Sequence, residues 1–330
     1  MIDLNGVSVS YGSVQVVRPM SLSIDKGEFF TLLGPSGCGK TTVLRAIAGF
    51  VPVAGGSVSI DGKDVTALPP ERRDVGIVFQ NYALFPHMTV SDNIAFGLKV
   101  AGKSRADRTY AVDRILEITG ISAHRNRKPA ELSGGQQQRV AIARSLVMGT
   151  QVLLFDEPLS NLDAGIREDM RHEIKALQRE LGFTAVFVTH DQEEALSMSD
   201  RLLVLNAGRV EQIGTARDLY ENPATPFVCQ FVGIANRIGP GLAGRLGLGD
   251  ADPLFVRPEH VKLRVPTGSG TFDAIVKDLD YLGPITRVMI DVNGEVLRIQ
   301  SFSDPATAAL KPGDAISVSL DIAEIHRFGT

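Results

Sequence analysis

The sequence predicts an α/β domain built on a parallel sheet, followed by a small all-β barrel. Three observations carry this prediction. Short apolar runs alternate with helical stretches as far as residue 235, which sets a first domain at 1–235. A stretch rich in Gly and Pro then breaks the pattern over 236–252 and reads as a linker. Beyond it, five strand-like runs follow one another with turn residues between them, giving a second domain at 236–330. A chain of 330 residues is comfortable for two domains.

Taken in order, "MIDLNGVSVSYG" alternates apolar and polar residues like a strand and lacks the layout of a signal peptide. "VSVSYG" and "GSVSIDG" read as antiparallel strands closed by glycine turns. The runs "FFTLLG" (29–34), "VGIVFQ" (75–80), "VLLFDE" (152–157), "TAVFVTH" (184–190) and "RLLVLNAG" (201–208) are short and almost wholly apolar. Strands buried on both faces of a parallel sheet read this way. Residues 92–130, within a region of about 88–148, read as a helical insert with Arg and Lys on its polar positions. The tail supplies "PLFVRPEHVKLRV", "TFDAIVKDLDY", "ITRVMIDV", "EVLRIQ" and "AISVSLDI" as strands.

Net charge is −4 and the basic residues are scattered, so no electrostatic ground exists for a nucleic-acid partner. The two cysteines, Cys38 and Cys229, form no CxxC pair, which argues against a disulfide framework or structural zinc and fits a reducing cytosol. No apolar run approaches the ~18 residues of a membrane span, so the expectation is a soluble protein, or one held at a membrane by a partner.

Chemistry gathers at the strand ends. "GPSGCGKT" (34–41) matches G-x-x-x-x-G-K-[ST] between an apolar strand and the helix-like run "TTVLRAIAGF", the context of a phosphate-binding loop. Gly34, Gly37 and Gly39 let the backbone curl so that successive N–H groups face a β-phosphate, and Cys38 fills space inside the loop. Lys40 adds charge at the β- and γ-phosphates, and Thr41 offers a hydroxyl to Mg²⁺. Asp156 and Glu157 end a buried strand, where ligands bind in an open α/β sheet. Asp156 suits a water-mediated partner for Mg²⁺, and Glu157 a base or water-orienting carboxylate. His190 ends another strand where a γ-phosphate sensor would sit. Gln80 closes "VGIVFQ" and can bond water or the metal. Read singly, the two acids could be a solvated strand terminus, and His190 a structural histidine; beside the phosphate loop they point to one site. "LSGGQ" (132–136) opens a second anion-binding helix N-terminus at Ser133, Gly134 and Gly135, without a lysine.

Together these motifs resemble the nucleotide-binding subunits of ABC transporters over residues 1 to about 235. The likeness rests on the phosphate loop, Gln80 of a Q-loop, "LSGGQ", "LLFDE", "SNLD" at 160–163 and a switch His190. It implies a P-loop NTPase fold with an antiparallel β subdomain and a helical subdomain, and ATP and Mg²⁺ as cofactors. It further implies that Gly34, Pro35, Ser36, Gly37, Cys38, Gly39, Lys40, Thr41 and Thr42 line the phosphates and that Tyr11 stacks on adenine. Asp163 then contacts nucleotide, Thr41, Gln80 and Asp156 serve the metal, and Glu157, His190 and Gln80 are catalytic. The family's ATPase domains pair head to tail, so Ser133, Gly134, Gly135 and Gln136 would grip ATP bound to the opposite copy of a homodimer. The second anion site lacks a lysine because the opposite Lys40 supplies it.

The tail resembles the TOBE-type, OB-like domain of importer ATPases in the maltose, sulfate, polyamine and ferric-iron group. "FVRPEHVKL" (255–263) and "DLDYLGPITRVMIDVNGEVLRIQ" (278–300) carry that likeness. An OB fold can bind an oligonucleotide, but these strands show few aromatics and no basic groove, so no nucleic acid is expected. The resemblance implies a peripheral ATPase at the cytoplasmic face of a prokaryotic inner membrane. Its expected partners are two transmembrane permease subunits and, through them, a solute-binding protein. Coupling helices of the permeases would meet the region of Tyr82, Leu84, Phe85, Pro86 and His87. "LGPITRV" resembles the polyamine and ferric-iron branch, so polyamine is the first expectation, with ferric iron, phosphonate, sulfate, thiamine or sugar open. The alternative from another class is an ABC-type ATPase of DNA repair or regulation.

Overall fold

The structure, a computed structural model, describes residues 1–249, 253–263 and 270–329. The chain begins with β1 (Ile2–Tyr11), β2 (Val14–Ile24), β3 (Phe29–Leu33), α1 (Lys40–Ala48), β4 (Gly55–Ile60), β5 (Lys63–Asp64) and β6 (Val75–Val78). Three helices follow, α2 (Val90–Val100), α3 (Arg105–Ile118) and α4 (Gly134–Leu146). Then come β7 (Val152–Asp156), α5 (Ala164–Leu181), β8 (Thr184–Thr189), α6 (Gln192–Met198), β9 (Arg201–Asn206) and β10 (Arg209–Gly214). The chain divides into two units, Met1–Arg217 and Asp218–Thr330.

In the first unit, six strands pair in the order β10-β9-β3-β8-β7-β6, all parallel except β10. Every residue of β3, β7 and β8 is buried, which is why these strands read as unbroken apolar runs. Their side chains alternate between two cores. Leu32, Leu154 and Val188 face α1 and the antiparallel sheet β2-β1-β4-β5, where they join Ile2, Leu4, Val43 and Ile47. Phe29, Phe155 and Phe187 face the other way, against Ile174 and Leu177 of α5 and Ile142 of α4. The Phe155 and Phe187 rings lie 5.8 Å apart in a tilted contact, and each such buried ring contributes about 1.5–3 kcal/mol by burial. The helical insert has its own core of Ile94, Leu98, Val112, Leu116 and Val140. Thr89 and Ser104 cap α2 and α3, each hydroxyl accepting from an aspartate N–H at 3.1 Å.

The boundary at Arg217 differs from the sequence reading near residue 235, and Arg257 is the reason. Its side chain is 1% exposed. It donates through Nη1 to the carbonyls of Cys229 (2.8 Å) and Ile234 (3.2 Å), and through Nη2 to that of Tyr220 (2.9 Å). α7 (Ala216–Glu221) spans the boundary, and α8 (Pro226–Phe231) belongs wholly to the second unit.

That unit continues through β11 (Asn236–Ile238), α9 (Pro240–Arg245), β12 (Leu254–Val256), β13 (Val261–Leu263), β14 (Thr271–Tyr281) and β15 (Ile285–Val292). It ends with β16 (Glu295–Phe302), α10 (Pro305–Ala308), β17 (Ala315–Leu320) and β18 (His326–Arg327). Five strands pair antiparallel in the order β13-β17-β14-β15-β16, and the two ends of that order lie against each other, so the sheet curls into a barrel-like form. A second sheet, β11-β12-β18, completes the β structure of this unit.

Two details differ from the sequence reading. The run 253–265 is two strands in different sheets, because Pro258 opens a 3-10 turn and cannot donate to a ladder; Arg264 and Val265 lie outside the described residues. The Gly/Pro-rich stretch 236–252, which reads in sequence as a linker, holds β11 and α9, with 250–252 outside the described residues. Its glycines serve a close approach, since Glu295 accepts from the N–H groups of Gly239 (2.9 Å) and Leu242 (3.1 Å). Among the described residues no helix is long and apolar enough to cross a membrane.

Candidate functional site

The sheet order explains why distant motifs meet. β3, β8, β7 and β6 are parallel neighbours, so the segments leaving their C-terminal ends lie side by side. The phosphate loop leaves β3, His190 leaves β8, Glu157 leaves β7 and Gln80 follows β6.

The loop between β3 and α1 is shaped by its glycines. Gly37 and Gly39 sit at φ 79° and 108°, in the left-handed region, and Gly39 is the N-cap of α1. A Cβ at Gly34 would lie 2.3 Å from the Leu205 carbonyl oxygen, so backbone rather than a yielding side chain excludes any other residue. Lys40 is buried, and its ammonium donates to the carbonyls of Gly34 (2.8 Å) and Pro35 (2.9 Å), closing the curl. Ser36 and Gly37 are exposed at the tip, and Thr42 follows in the first turn of α1. Burial pushes the Cys38 thiol up, although Lys40 opposes the shift, so Cys38 packs as a thiol.

Thr41 Oγ1 donates to Asp156 Oδ1 at 2.9 Å, joining the loop to the end of β7. Arg45, one turn further along α1, stands 3.7 Å from the other carboxylate oxygen. A hydroxyl and a carboxylate form an all-oxygen donor set, which suits a hard cation such as Mg²⁺ that takes few protein ligands and keeps phosphate and water for the rest.

Glu157 adopts φ 47°, a conformation that a non-glycine residue holds at a cost of order 1–3 kcal/mol. Its N–H donates to the Val188 carbonyl (3.2 Å), and Ser160 Oγ donates to its carbonyl (2.9 Å), which together hold the turn. The carboxylate Oε2 is 3.1 Å from His190 Nδ1. A carboxylate accepts, so Nδ1 carries the proton; Nε2 is then a donor toward a phosphate only in the imidazolium form.

Gln80 is exposed two residues beyond β6, and its carbonyl accepts from Asn161 Nδ2 at 2.9 Å. The following segment is clamped from two sides. Tyr82 and Ala83 have φ 58° and 46°, and Arg144 of α4 donates to both carbonyls. The fully buried Asn93 accepts from the Phe85 N–H (2.8 Å) and donates to the carbonyls of Phe85, Met88 and Thr89. Tyr82 points into the core, and burial raises its phenol.

Ser133 caps α4. Its hydroxyl accepts from the Gln136 N–H (3.4 Å), while Gln136 Oε1 accepts from the Ser133 N–H (3.0 Å) and Gln136 Nε2 meets His124 Nε2 at 3.2 Å. Among the described residues, the side chains of Ser133 and Gln136 form no hydrogen bond with residues 34–41, and Ser133 is exposed. Gly134 packs so tightly that a Cβ there would lie 2.8 Å from Leu162 Cδ2. Asp163 is the exposed N-cap of α5, without a side-chain capping bond, and Tyr11 ends β1 half exposed. The structure thus joins Thr41 to Asp156 and Glu157 to His190, and links Gln80 to the 160–163 turn. Among the described residues, no hydrogen bond joins the side chain of Tyr11, Asp163 or Ser133 to Thr41, Asp156, Glu157, His190 or Gln80. Sequence reasoning missed Arg45, Asn93, Arg144 and Asn161; only Asn161, inside "SNLD", stood in a recognisable motif.

Residues 17–160 match the ABC transporter family and residues 254–328 the TOBE domain. The chain belongs to the ATP-binding, ATP-hydrolysing proteins of ABC transporters, in the group that carries a C-terminal TOBE domain. Its particular relatives include the uncharacterized ABC transporter ATP-binding protein y4fO of Sinorhizobium fredii, 51% identical over 99% of this chain and 95% of that one. The spermidine/putrescine import ATP-binding protein PotA of Roseobacter denitrificans is 43% identical over 97% of this chain and 95% of its own. The sulfate/thiosulfate import ATP-binding protein CysA 2 of Chromobacterium violaceum is also 43% identical, over 96% and 92%. The dimeric, post-hydrolysis structure of the ATP-binding cassette MJ0796 bound to ADP and Pi superposes with a TM-score of 0.59. It is 33% identical and covers 66% of this chain and 99% of that one.

Proposed function

We propose that two copies of this chain bind and hydrolyse ATP at paired composite sites and so drive import of a small solute through separate permease subunits. The observation that carries this reading is the Glu157–His190 contact of 3.1 Å beside the Thr41–Asp156 contact of 2.9 Å, at neighbouring strand ends. Backbone N–H groups of residues 36–41 and the Lys40 ammonium hold the β- and γ-phosphates. Thr41 and Asp156, with Gln80, hold Mg²⁺, which neutralises charge on the phosphate oxygens when bound. Glu157 orients the attacking water and takes its proton as oxygen bonds to the γ-phosphorus and the bond to ADP breaks. His190 meets the γ-phosphate through its second ring nitrogen. Tyr11 stacks on the adenine, and Asp163 approaches the nucleotide across the dimer.

Exposed Ser133 at the start of α4, where Ser133 and Gln136 keep their side-chain bonds to their own neighbourhood, supports a role for Ser133, Gly134, Gly135 and Gln136 on ATP held by the second copy. The dimeric state of the MJ0796 cassette supports the same arrangement. The clamped segment at 82–89 supports a docking role toward the permeases at the cytoplasmic face of the membrane. Glu157→Gln is expected to lower hydrolysis about 10²–10³-fold while trapping an ATP-dependent dimer, read by light scattering. A monomer with full activity would sink the mechanism.

For the solute, a polyamine is the reading supported by the spermidine/putrescine relative and by "LGPITRV" at 282–288. The sulfate/thiosulfate relative at equal identity makes an oxyanion the second reading. Calorimetric titration of the cognate solute-binding protein with spermidine, putrescine and sulfate decides between them, and binding of sulfate alone would overturn the first.

A further inference from the structure

Resting on the reading that Glu157 and His190 act at one ATP and the Ser133 segment at another, we propose that Arg167 is a positioning residue. It braces the His190 segment against residues 160–163, and through them against the chain's own signature helix α4. Arg167 lies in the first turns of α5. Its Nη2 donates to the Leu162 carbonyl at 3.0 Å, Nη1 stands 3.5 Å from Asp191 Oδ2, and Nε is 3.8 Å from Glu194 Oε1. One planar, permanently charged fork therefore serves acceptors on two segments far apart in sequence, a task that suits Arg better than the point charge of Lys.

Both ends of this brace are firm. On the histidine side, Thr189 Oγ1 donates to Glu194 Oε2 (2.5 Å) and accepts from the Asp191 N–H (2.9 Å), while Asp191 Oδ1 accepts from the Glu194 N–H (3.1 Å). Residues 189–194 form a closed network with His190 inside it. On the other side, Leu162 Cδ2 lies 2.8 Å from where a Cβ at Gly134 would stand, so the start of α4 packs directly on the 160–163 turn. Arg167 shares a small cavity with Glu157 and His190. It nevertheless hydrogen-bonds Leu162 and Asp191 and stands at ion-pair distance from Glu194, with no bond to Glu157 or His190, which marks it as acting through its neighbours. A shift of α4 on gripping one ATP is thereby carried to the histidine that serves the other, along a contiguous set of contacts.

The test measures phosphate release by the full-length chain across an ATP range for Arg167→Ala, Arg167→Lys, His190→Ala and the double variant Arg167→Ala/His190→Ala. Arg167→Ala is expected to lower kcat about tenfold and leave KM for ATP within about twofold. Arg167→Lys recovers part of the lost rate, and Arg167→Ala costs nothing further once His190 is gone. An equal loss in both backgrounds, an unchanged kcat or a change confined to KM overturns the proposal. If alanine unfolds the chain, Arg167→Gln, which keeps a donor for Leu162 and drops the charge, carries the same comparison. Parent-level hydrolysis by His190→Ala would refute the underlying role of His190. A normal His190 deficit with an indifferent Arg167 refutes only the brace.

Discussion

The guanidinium of Arg73 occupies the space that a side chain at position 49 would need: a Cβ on Gly49 would lie 2.5 Å from Arg73 Nε. From there Arg73 donates to the carbonyls of Ala46 (2.7 Å) and Ile47 (2.9 Å) at the C-terminal end of α1, and to those of Leu68 (2.8 Å) and Thr66 (3.0 Å). A cation at the negative end of the helix that starts with Lys40 stabilises it and ties it to the segment leading into β6. Gly49 also sits at φ 83°, so Gly49→Ala adds strain to the clash and should cost about 1–3 kcal/mol. Arg73→Met, which takes the guanidinium donors from these four carbonyls, should cost at least about 1–3 kcal/mol. Urea denaturation followed by circular dichroism measures both; wild-type midpoints would refute the tie.

Thr41→Val keeps the shape of the side chain and removes the hydroxyl that donates to Asp156 Oδ1. ATPase activity should fall about tenfold or more, and the Mg²⁺ concentration for half-maximal rate should rise. Titrating activity with Mg²⁺ at fixed ATP separates the two effects. An unchanged Mg²⁺ dependence would remove Thr41 from the metal's environment.

Asn93→Leu is expected to separate basal from coupled activity. The amide supplies bonds to the segment 85–89 from a fully buried position, and its loss leaves the Phe85 N–H without its acceptor at about 1–3 kcal/mol. The loosened segment should leave basal hydrolysis within about threefold while stimulation by permease and loaded binding protein is lost. Reconstituted vesicles give both rates, and normal stimulation would refute a docking role for the segment.

Burial and its hydrogen bond to Glu259 push the Tyr220 phenol up to about 12. The folded state therefore holds this proton more tightly than the unfolded chain, whose tyrosine titrates near 10. Stability from the contact is complete below that lower value and is lost as pH rises through about 12. Ultraviolet titration should show a late tyrosinate step that Tyr220→Phe abolishes. Persistence of that step would place the late group elsewhere.

What the sequence made legible was chemistry carried by residue identity at short spacing. Lys40 and Thr41 stand in a glycine loop, and Asp156 and Glu157 close an apolar strand, so local pattern sufficed to find them. The same holds for β3, β7 and β8, whose complete burial shows as uninterrupted apolar runs. Arg73, Asn93, Arg144, Arg167 and Arg257 escaped because their acceptors are mostly backbone carbonyls brought near only by folding. A carbonyl is present at every position and leaves no mark in sequence. Charged residues of this kind read as a solvated face until burial is known. The division at Arg217 was hidden for the same reason, since the helices after it look like continuations of the α/β pattern.

The three carbonyls held by Arg257 also decide where this chain can be cut. A fragment ending at residue 235 would carry the acceptors of Tyr220, Cys229 and Ile234 and none of the guanidinium that satisfies them. Trimming or fusing the ATPase at that point leaves a sticky end of two short helices, whereas a break after Arg217 leaves the fastening whole on the β side.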